Sequence, residues 1–376
     1  MKLVIVYHYF AHYRKAVINE LINTARDHND SIIFIADNHA NEPNLKVYDF
    51  SDNDKYFKKV KNCWFGKFLW QKGILKKIYS ESPDVIIFLG QFNFISTWIA
   101  SIVFKLLGKK ILFWGHGVYG SETGLKKIIR DLFNNLPHIY MTYGEHAKRL
   151  MSDRKKISVI YNSLDVDRQD KYYNTLVLDE KTCHSPHMNC VEKTKLLFVG
   201  RLTKIKKLDI LLKALNHLDR SLYELLIIGT GPEEKNLKDL VDKCGLNDIV
   251  YFKGALHDEK QLSLLIYSSD ICVSPGNVGL TAMHALVYGT PVITNDDFSH
   301  QMPEFEVIEP GVNGDFFVDN DILSLADKIE KWRLIIAKVG RNEIRDKCRR
   351  PILEFYNPKN QARLIWENVK KDDADI

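Results

Sequence analysis

Two short stretches of this chain hold the residue types needed to neutralise a diphosphate. In FVGRLTKIKKLDILLKAL, Gly200, Arg201 and Lys206 lie in a turn between a strand-like run and an amphipathic helical pattern. Further on, SPGNVGLTAMHALVYGTPVI reads as a strand, a glycine-containing loop and a helix that opens near Leu280. Unpaired amides and the helix dipole favour anions at a helix N-terminus. Arginine and lysine add formal charge. The expected ligand is a nucleoside diphosphate, and the expected chemistry is that of nucleotide sugars.

Strands and helices must alternate to position these turns, and they do so along the whole chain. Runs at Leu3–Tyr7, 31–36, 84–89, 110–114, 139–142 and 157–161 read as strands, with helical patterns at 13–27 and 125–132 between them. The pattern restarts at 195–199 and continues through 225–228, 249–252, 271–273 and 292–293. Such alternation predicts an α/β chain with two doubly wound parallel sheets. Residues 166–193 show neither period and read as a linker or insertion. The expected division is 1–165, the linker 166–193, a second domain over 194–353, and a helix at 354–376 that packs back on the first domain.

Composition narrows the class. The chain has 376 residues, 45% hydrophobic and 27% charged, which suits a globular protein of two domains. A net charge of +5 is too small to argue for nucleic acid, and no nucleic-acid partner is expected. Six scattered cysteines fit a reducing, cytoplasmic setting. Residues 85–104 contain no formal charge and meet the length of a membrane span. Their polar residues and Gly90 favour a buried strand followed by a helix. The first residues read as a strand and not a signal peptide.

The motifs GRLTKIKKLD, IIGTGPEEKNL, VYFKGAL, SPGNVGLTAMHALVYGTPVI and PGVNGDFF, in this order, resemble family four of the retaining glycosyltransferases. YNSLDVD resembles that family's segment closing the N-terminal domain. The resemblance is strongest over 195–320. It implies the GT-B architecture: two Rossmann-like domains facing a central cleft. It also implies sugar transfer with retention of configuration, from a nucleotide-diphosphate donor and without a metal or other cofactor. By resemblance Arg201 and Lys206 meet the diphosphate and, with His116, are the catalytic candidates. Gly279, Leu280 and Thr281, flanked by Asn277 and Val278, present the amides. Lys253, Gly254 and Ala255 lie where the family meets the base.

One departure stands out. The family's two glutamates, eight positions apart, are replaced by Gly276 and His284. His284 retains the ability to bond ribose hydroxyls, and Glu304 is a candidate replacement carboxylate on the donor. This departure keeps open a non-catalytic GT-B partner subunit, and the architecture keeps open a nucleotide-sugar epimerase.

Other constellations are weaker. His8, His12, Tyr13 and Arg14 follow the first strand and are candidates for acceptor contact. Residues 55–77 hold eight lysines and no acid, interleaved with aromatics. That composition suits contact with an anionic membrane at the inner face of the plasma membrane, where a lipid-linked saccharide acceptor would be met. It equally suits a solvated helix face over core aromatics. Cys183, His184, His187 and Cys190 lack the usual zinc spacing, and Asp165–Asp167 belongs to the domain-closing segment, so no metal site is expected.

Overall fold

The β-branched and aromatic runs of the first half pair side by side in a computed structural model that describes residues 1–40, 46–118, 120, 123–151, 156–182 and 193–371. Strands β1 (Lys2–Val6), β2 (Ser31–Ala36), β3 (Phe57–Lys59), β6 (Val85–Leu89), β7 (Lys110–Gly115), β8 (Ile139–Thr142) and β9 (Ile157–Val159) form one parallel sheet in the order β3-β2-β1-β6-β7-β8-β9. β4 (Lys61–Phe65) and β5 (Phe68–Lys72) make a separate antiparallel hairpin. Both faces of the sheet are covered, so strands such as VIIFL are buried at every position. The chain divides into two units, 1–165 with 356–376, and 166–355.

The last helix, Pro358–Lys370, belongs to the first unit and packs on the helix Lys15–Asp27. Its start is fixed locally: Pro358 occupies the first turn and the Asn357 side chain accepts from the Asn360 amide at 2.8 Å. Ile365, Trp366 and Val369 then join the core of Leu3, Ile5, Val17 and Leu21. Gln361, fully buried, donates to the Tyr161 carbonyl at 2.5 Å and accepts from Ser163 Oγ at 2.7 Å. It thereby ties the helix to the YNSLD segment.

The second unit repeats the plan. Strands β10 (Thr194–Val199), β11 (Tyr223–Ile228), β12 (Val250–Gly254), β13 (Ile271–Ser274), β14 (Val292–Asn295) and β15 (Gly314–Phe317) run parallel in the order β12-β11-β10-β13-β14-β15. Two expectations are corrected. Residues 166–182, read as part of a linker, form a helix assigned to this unit. Its stability comes from tertiary partners and not from an amphipathic repeat: Tyr173 meets Tyr267 edge-on, and the Arg349 guanidinium lies 3.4 Å from the centre of the Tyr173 ring while pairing with Asp170. Residues 183–192, with the Cys183–Cys190 cluster, lie outside the described residues. The basic aromatic stretch 55–77 is mainly strand β3 and the β4–β5 hairpin, with a helix only from Ile74, and so is not a continuous helix face. The uncharged run 85–104 resolves into β6 and the helix Ile95–Leu106, and no described helix is long and apolar enough to cross a membrane.

Gln361→Ala leaves the Tyr161 carbonyl and the Ser163 hydroxyl without their buried partner. An unpaired buried polar group costs about 1–3 kcal/mol. Urea unfolding followed by circular dichroism should show a lower midpoint of about that size, and an unchanged midpoint would mean that the contact contributes nothing.

Candidate functional site

In each sheet the strand order reverses beside the first strand of the unit, and ligands of open α/β sheets gather at the carboxyl ends of strands at such a point. In the second unit β10 is that strand, flanked by β11 and β13. The loop after β10 carries Gly200 and Arg201, and the loop after β13 carries Gly276 to Gly279. The helix Leu280–Val287 starts there, and no side chain caps it at Gly279. Thr281 Oγ1 donates to the Val199 carbonyl at 3.3 Å, which fixes the helix start against the end of β10. The two stretches expected to bind a diphosphate therefore lie side by side at the carboxyl ends of two neighbouring strands.

Lys206 is held in place by a reciprocal pair of bonds. The Gly276 amide donates to the Lys206 carbonyl at 2.9 Å, and Lys206 Nζ donates to the Asn277 carbonyl at 2.7 Å. Burial lowers the Lys206 pKa, and the charge of Glu304 opposes that shift. Glu304 is itself buried, in the turn Pro303–Val307. Arg201 is exposed. The Val278 amide is already taken, since Gln301 Oε1 accepts it at 2.7 Å. Gln301 also donates to Thr294 Oγ1 and the Asn295 carbonyl, bracing the loop from beneath. Lys253, Gly254 and Ala255 end β12 and the loop after it, and the Gly229 amide donates to the Gly254 carbonyl at 2.8 Å.

Gly229 and Gly231 serve close packing. A Cβ on Gly229 would sit 1.8 Å from the Gly200 carbonyl oxygen. The IIGTG turn thus lets the loops after β10 and β11 touch.

His284 does not stand alone on its helix. Its Nε2 lies 2.9 Å from Glu259 Oε1, which also accepts from Tyr288 Oη at 2.6 Å. Burial works to raise the Glu259 carboxyl, but bonds from His284, Tyr288 and Gln169 outweigh it and bring its pKa to about 2. Neither Glu259 nor Gln301 is marked by any sequence motif. A glutamate at the start of a helix reads as a dipole partner, and a glutamine in a loop carries no signal.

The first unit gathers His8, Tyr13, Arg14 and His116 near Tyr143 and Trp114. Arg14 Nη2 donates to Tyr143 Oη at 2.7 Å, and its guanidinium carbon lies 5.1 Å from the Trp114 ring and 5.3 Å from that of Tyr7. His116 is 5.0 Å from the Tyr143 ring. Burial first, and the charge of Arg14 second, push both His8 and His116 down to about 4, so both imidazoles are neutral near pH 7. His12 is exposed: its Nδ1 lies 3.2 Å from the Lys46 carbonyl, and its ring meets that of Tyr13 edge-on at 5.9 Å. Arg201, Lys206, the 276–281 loop, His284 and Glu304 belong to the second unit, whereas His116 and the 8–14 group belong to the first.

Gly276 explains the missing glutamate structurally. A Cβ there would lie 2.0 Å from the Ile205 carbonyl oxygen and 2.6 Å from Lys206 Cα, both backbone atoms. The Lys204–Lys206 turn occupies the space of a side chain. Gly276→Glu should therefore destabilise the chain, by about 1–3 kcal/mol or more as overpacking does, and lower the melting temperature without raising activity. A stable variant with increased turnover would show that the turn yields easily.

Residues 181–335 match the model of the family "Glycosyl transferases group 1". Among curated relatives, the chain is 31% identical over 204 residues to an uncharacterized 41.2 kDa protein in the cps region of Klebsiella pneumoniae, covering 52% of this chain and 50% of that one. The chain spans about half the length of the curated relatives it matches first. Solved structures align along nearly all of it. The lipopolysaccharide outer core galactosyltransferase WaaB superposes with a TM-score of 0.70 at 17% identity, covering 98% of this chain and 100% of that one. Anabaena Alr3699/HepE in complex with UDP superposes with a TM-score of 0.69 at 15% identity, covering 98% and 99%. Residues 181–335 are thus similar to the group 1 glycosyl transferases, and the chain has the GT-B fold of the solved structures that superpose on it.

Proposed function

We propose that the chain is a retaining transferase that moves a hexose-type sugar from a nucleotide-diphosphate donor to a lipid-linked oligosaccharide of a surface polysaccharide. The observation that carries this reading is that the loop after β10, with Arg201 and Lys206, adjoins the loop after β13 that leads into the uncapped helix at Gly279, with Lys206 Nζ bonded to the Asn277 carbonyl. Departure of the nucleotide builds negative charge on the diphosphate, and preorganised cations and amides stabilise it there. Three relatives support the same direction. The Anabaena structure is titled with UDP, WaaB is named a galactosyltransferase of the lipopolysaccharide core, and the Klebsiella relative is named from a cps region. No cofactor enters this scheme.

The carboxylate inventory fits a leaving-phosphate-assisted route. Gly276 offers no side chain, so the acceptor proton would pass to the departing phosphate and not to a glutamate at that position. Glu304 remains beside Lys206, tuning the cation. The same absence favours a second reading, a donor-binding subunit without activity of its own. Binding of a nucleotide sugar without transfer or hydrolysis would select it. Product formed from donor alone, with no acceptor present, would instead select an epimerase.

Membrane contact is proposed on the first unit. The helix Ile95–Leu106 exposes Ile95, Ile99, Ile102 and Leu106, and the helix Gly124–Asn134 exposes Leu125, Ile128, Ile129 and Leu132 beside Lys126 and Lys127. Trp98 and Phe133, with rings 5.1 Å apart, join the two helices, and Asn93 Nδ2 bonds the Lys67 carbonyl of the hairpin that exposes Phe65 and Phe68. Apolar stripes bordered by lysines suit the interface of an anionic bilayer. Such contact at the inner face of the plasma membrane would bring a cytoplasmic enzyme to a lipid-linked acceptor.

A thermal-shift panel of UDP-, GDP- and ADP-sugars should raise the melting temperature for one base, since a ligand at 100 times its Kd adds about 2.7 kcal/mol. Arg201→Ala should lower turnover roughly 10²–10³-fold, and near-normal turnover would remove Arg201 from the mechanism. In flotation assays the chain should bind phosphatidylglycerol vesicles and release with salt. Ile128→Glu with Leu132→Glu should abolish that binding while leaving the melting temperature within a few degrees.

A further inference from the structure

Among the described residues no carboxylate pairs with the charge on Arg14. Its partners are the Tyr143 hydroxyl at 2.7 Å and the rings of Tyr7, Tyr13, Trp114 and Tyr143, all neutral. Its Nη1 is buried without a hydrogen bond. A cation held among aromatic rings away from water is costly unless paired, and ring faces offset only part of that cost. Asp37, at the end of the neighbouring β2, is committed to the Asn62 amide at 2.7 Å and to His39 at 3.4 Å. The guanidinium cannot shed its proton, so a fixed positive charge sits behind the carboxyl ends of β1, β7 and β8. In front of it His8, Tyr13 and His116 are each partly exposed.

We propose that the acceptor taken by the first unit bears an anionic oxygen group, a carboxylate or a phosphate on a saccharide, which docks at His8, Tyr13 and His116 against the charge of Arg14. The word acceptor rests on the transferase reading above, whereas the anion site stands on the first unit alone. Position supports it. β1 lies at the reversal of strand order, and His8 follows its end, packed on Phe94 after β6 and on Trp64 of the hairpin. Neutral imidazoles and the Tyr13 phenol give hydrogen bonds to an oxyanion and to neighbouring hydroxyls without adding charge of their own. An arriving anion offsets Arg14 and so favours the protonated imidazoles. The groups facing His8 are Arg14 from the start of the first helix, Tyr9, Trp64 and Phe94, with Asp37 held at the end of β2. Tyr143 and Arg14 are among the groups facing His116.

The test uses the full chain with ¹⁵N-labelled histidines, titrated by NMR with glucuronate, glucose 1-phosphate and glucose. The expected result is that at least one anionic sugar shifts the His8 and His116 ring signals with an affinity at least tenfold tighter than glucose. Added salt should weaken that binding, and saturation should raise the histidine titration midpoints from about 4. A response to glucuronate alone assigns a carboxylate, and a response to glucose 1-phosphate alone assigns a phosphate. Arg14→Gln should erase the preference, whereas Arg14→Lys should retain part of it. The lysine variant and the salt dependence decide the matter if the glutamine variant does not fold. Equal affinity for glucose, no response of either ring to any of the three sugars, or an unchanged preference in Arg14→Gln overturns the proposal. Failure of every nucleotide sugar to bind, with glucuronate still bound, would defeat the transferase reading and leave this site intact.

Discussion

The second unit depends on an exchange of hydrogen bonds between two loops. The Gly276 amide gives its proton to the Lys206 carbonyl, and the Lys206 ammonium returns to the Asn277 carbonyl. Neither bond forms unless the loops after β10 and β13 approach to backbone contact, which a side chain at 276 would prevent. The approach sets where Lys206 stands, aligns the helix Leu280–Val287 against Val199, and brings the charge of Glu304 to bear on the cation. The Lys206 ammonium is thus held in place before any ligand arrives. In water-poor surroundings, preorganisation of this kind does most of the electrostatic stabilisation of a leaving anion.

The first unit solves a different problem with related geometry. Its sheet also reverses beside its first strand, yet there the described partners of the one guanidinium, Arg14, are aromatic rings and a tyrosine hydroxyl. The two units therefore differ in chemistry where they agree in topology. The second offers fixed cations and uncapped amides, and the first offers a single enclosed charge behind imidazoles. A donor rich in phosphate suits the former, and a saccharide with one anionic group suits the latter. The exposed apolar stripes on the helices Ile95–Leu106 and Gly124–Asn134 belong to the same first unit.

Much of this was legible residue by residue. The alternation of buried runs with helical patterns announced two parallel sheets, because both faces of such strands must be apolar. Arg201 and Lys206 stood out as candidates from their type and their place after a strand. The helix 166–182 was not, since its hold on the chain comes from Tyr267 and Arg349, residues far along the sequence, and not from an apolar repeat. The 55–77 stretch misled in a related way: its lysines and aromatics fit several conformations, and only the pairing of Lys61–Phe65 with Phe68–Lys72 decided for a hairpin.

The amino-acid order alone determined the class of fold and singled out candidate groups for a diphosphate, because periodicity and residue chemistry are local properties. Three-dimensional packing decided the rest. It showed that Gly276 is a steric requirement of the Lys204–Lys206 turn, that His284 faces Glu259, and that Arg14 has no acid partner among the described residues. Each of these facts concerns atoms brought together from distant positions, and a one-dimensional pattern holds no record of which side chains fill a given space.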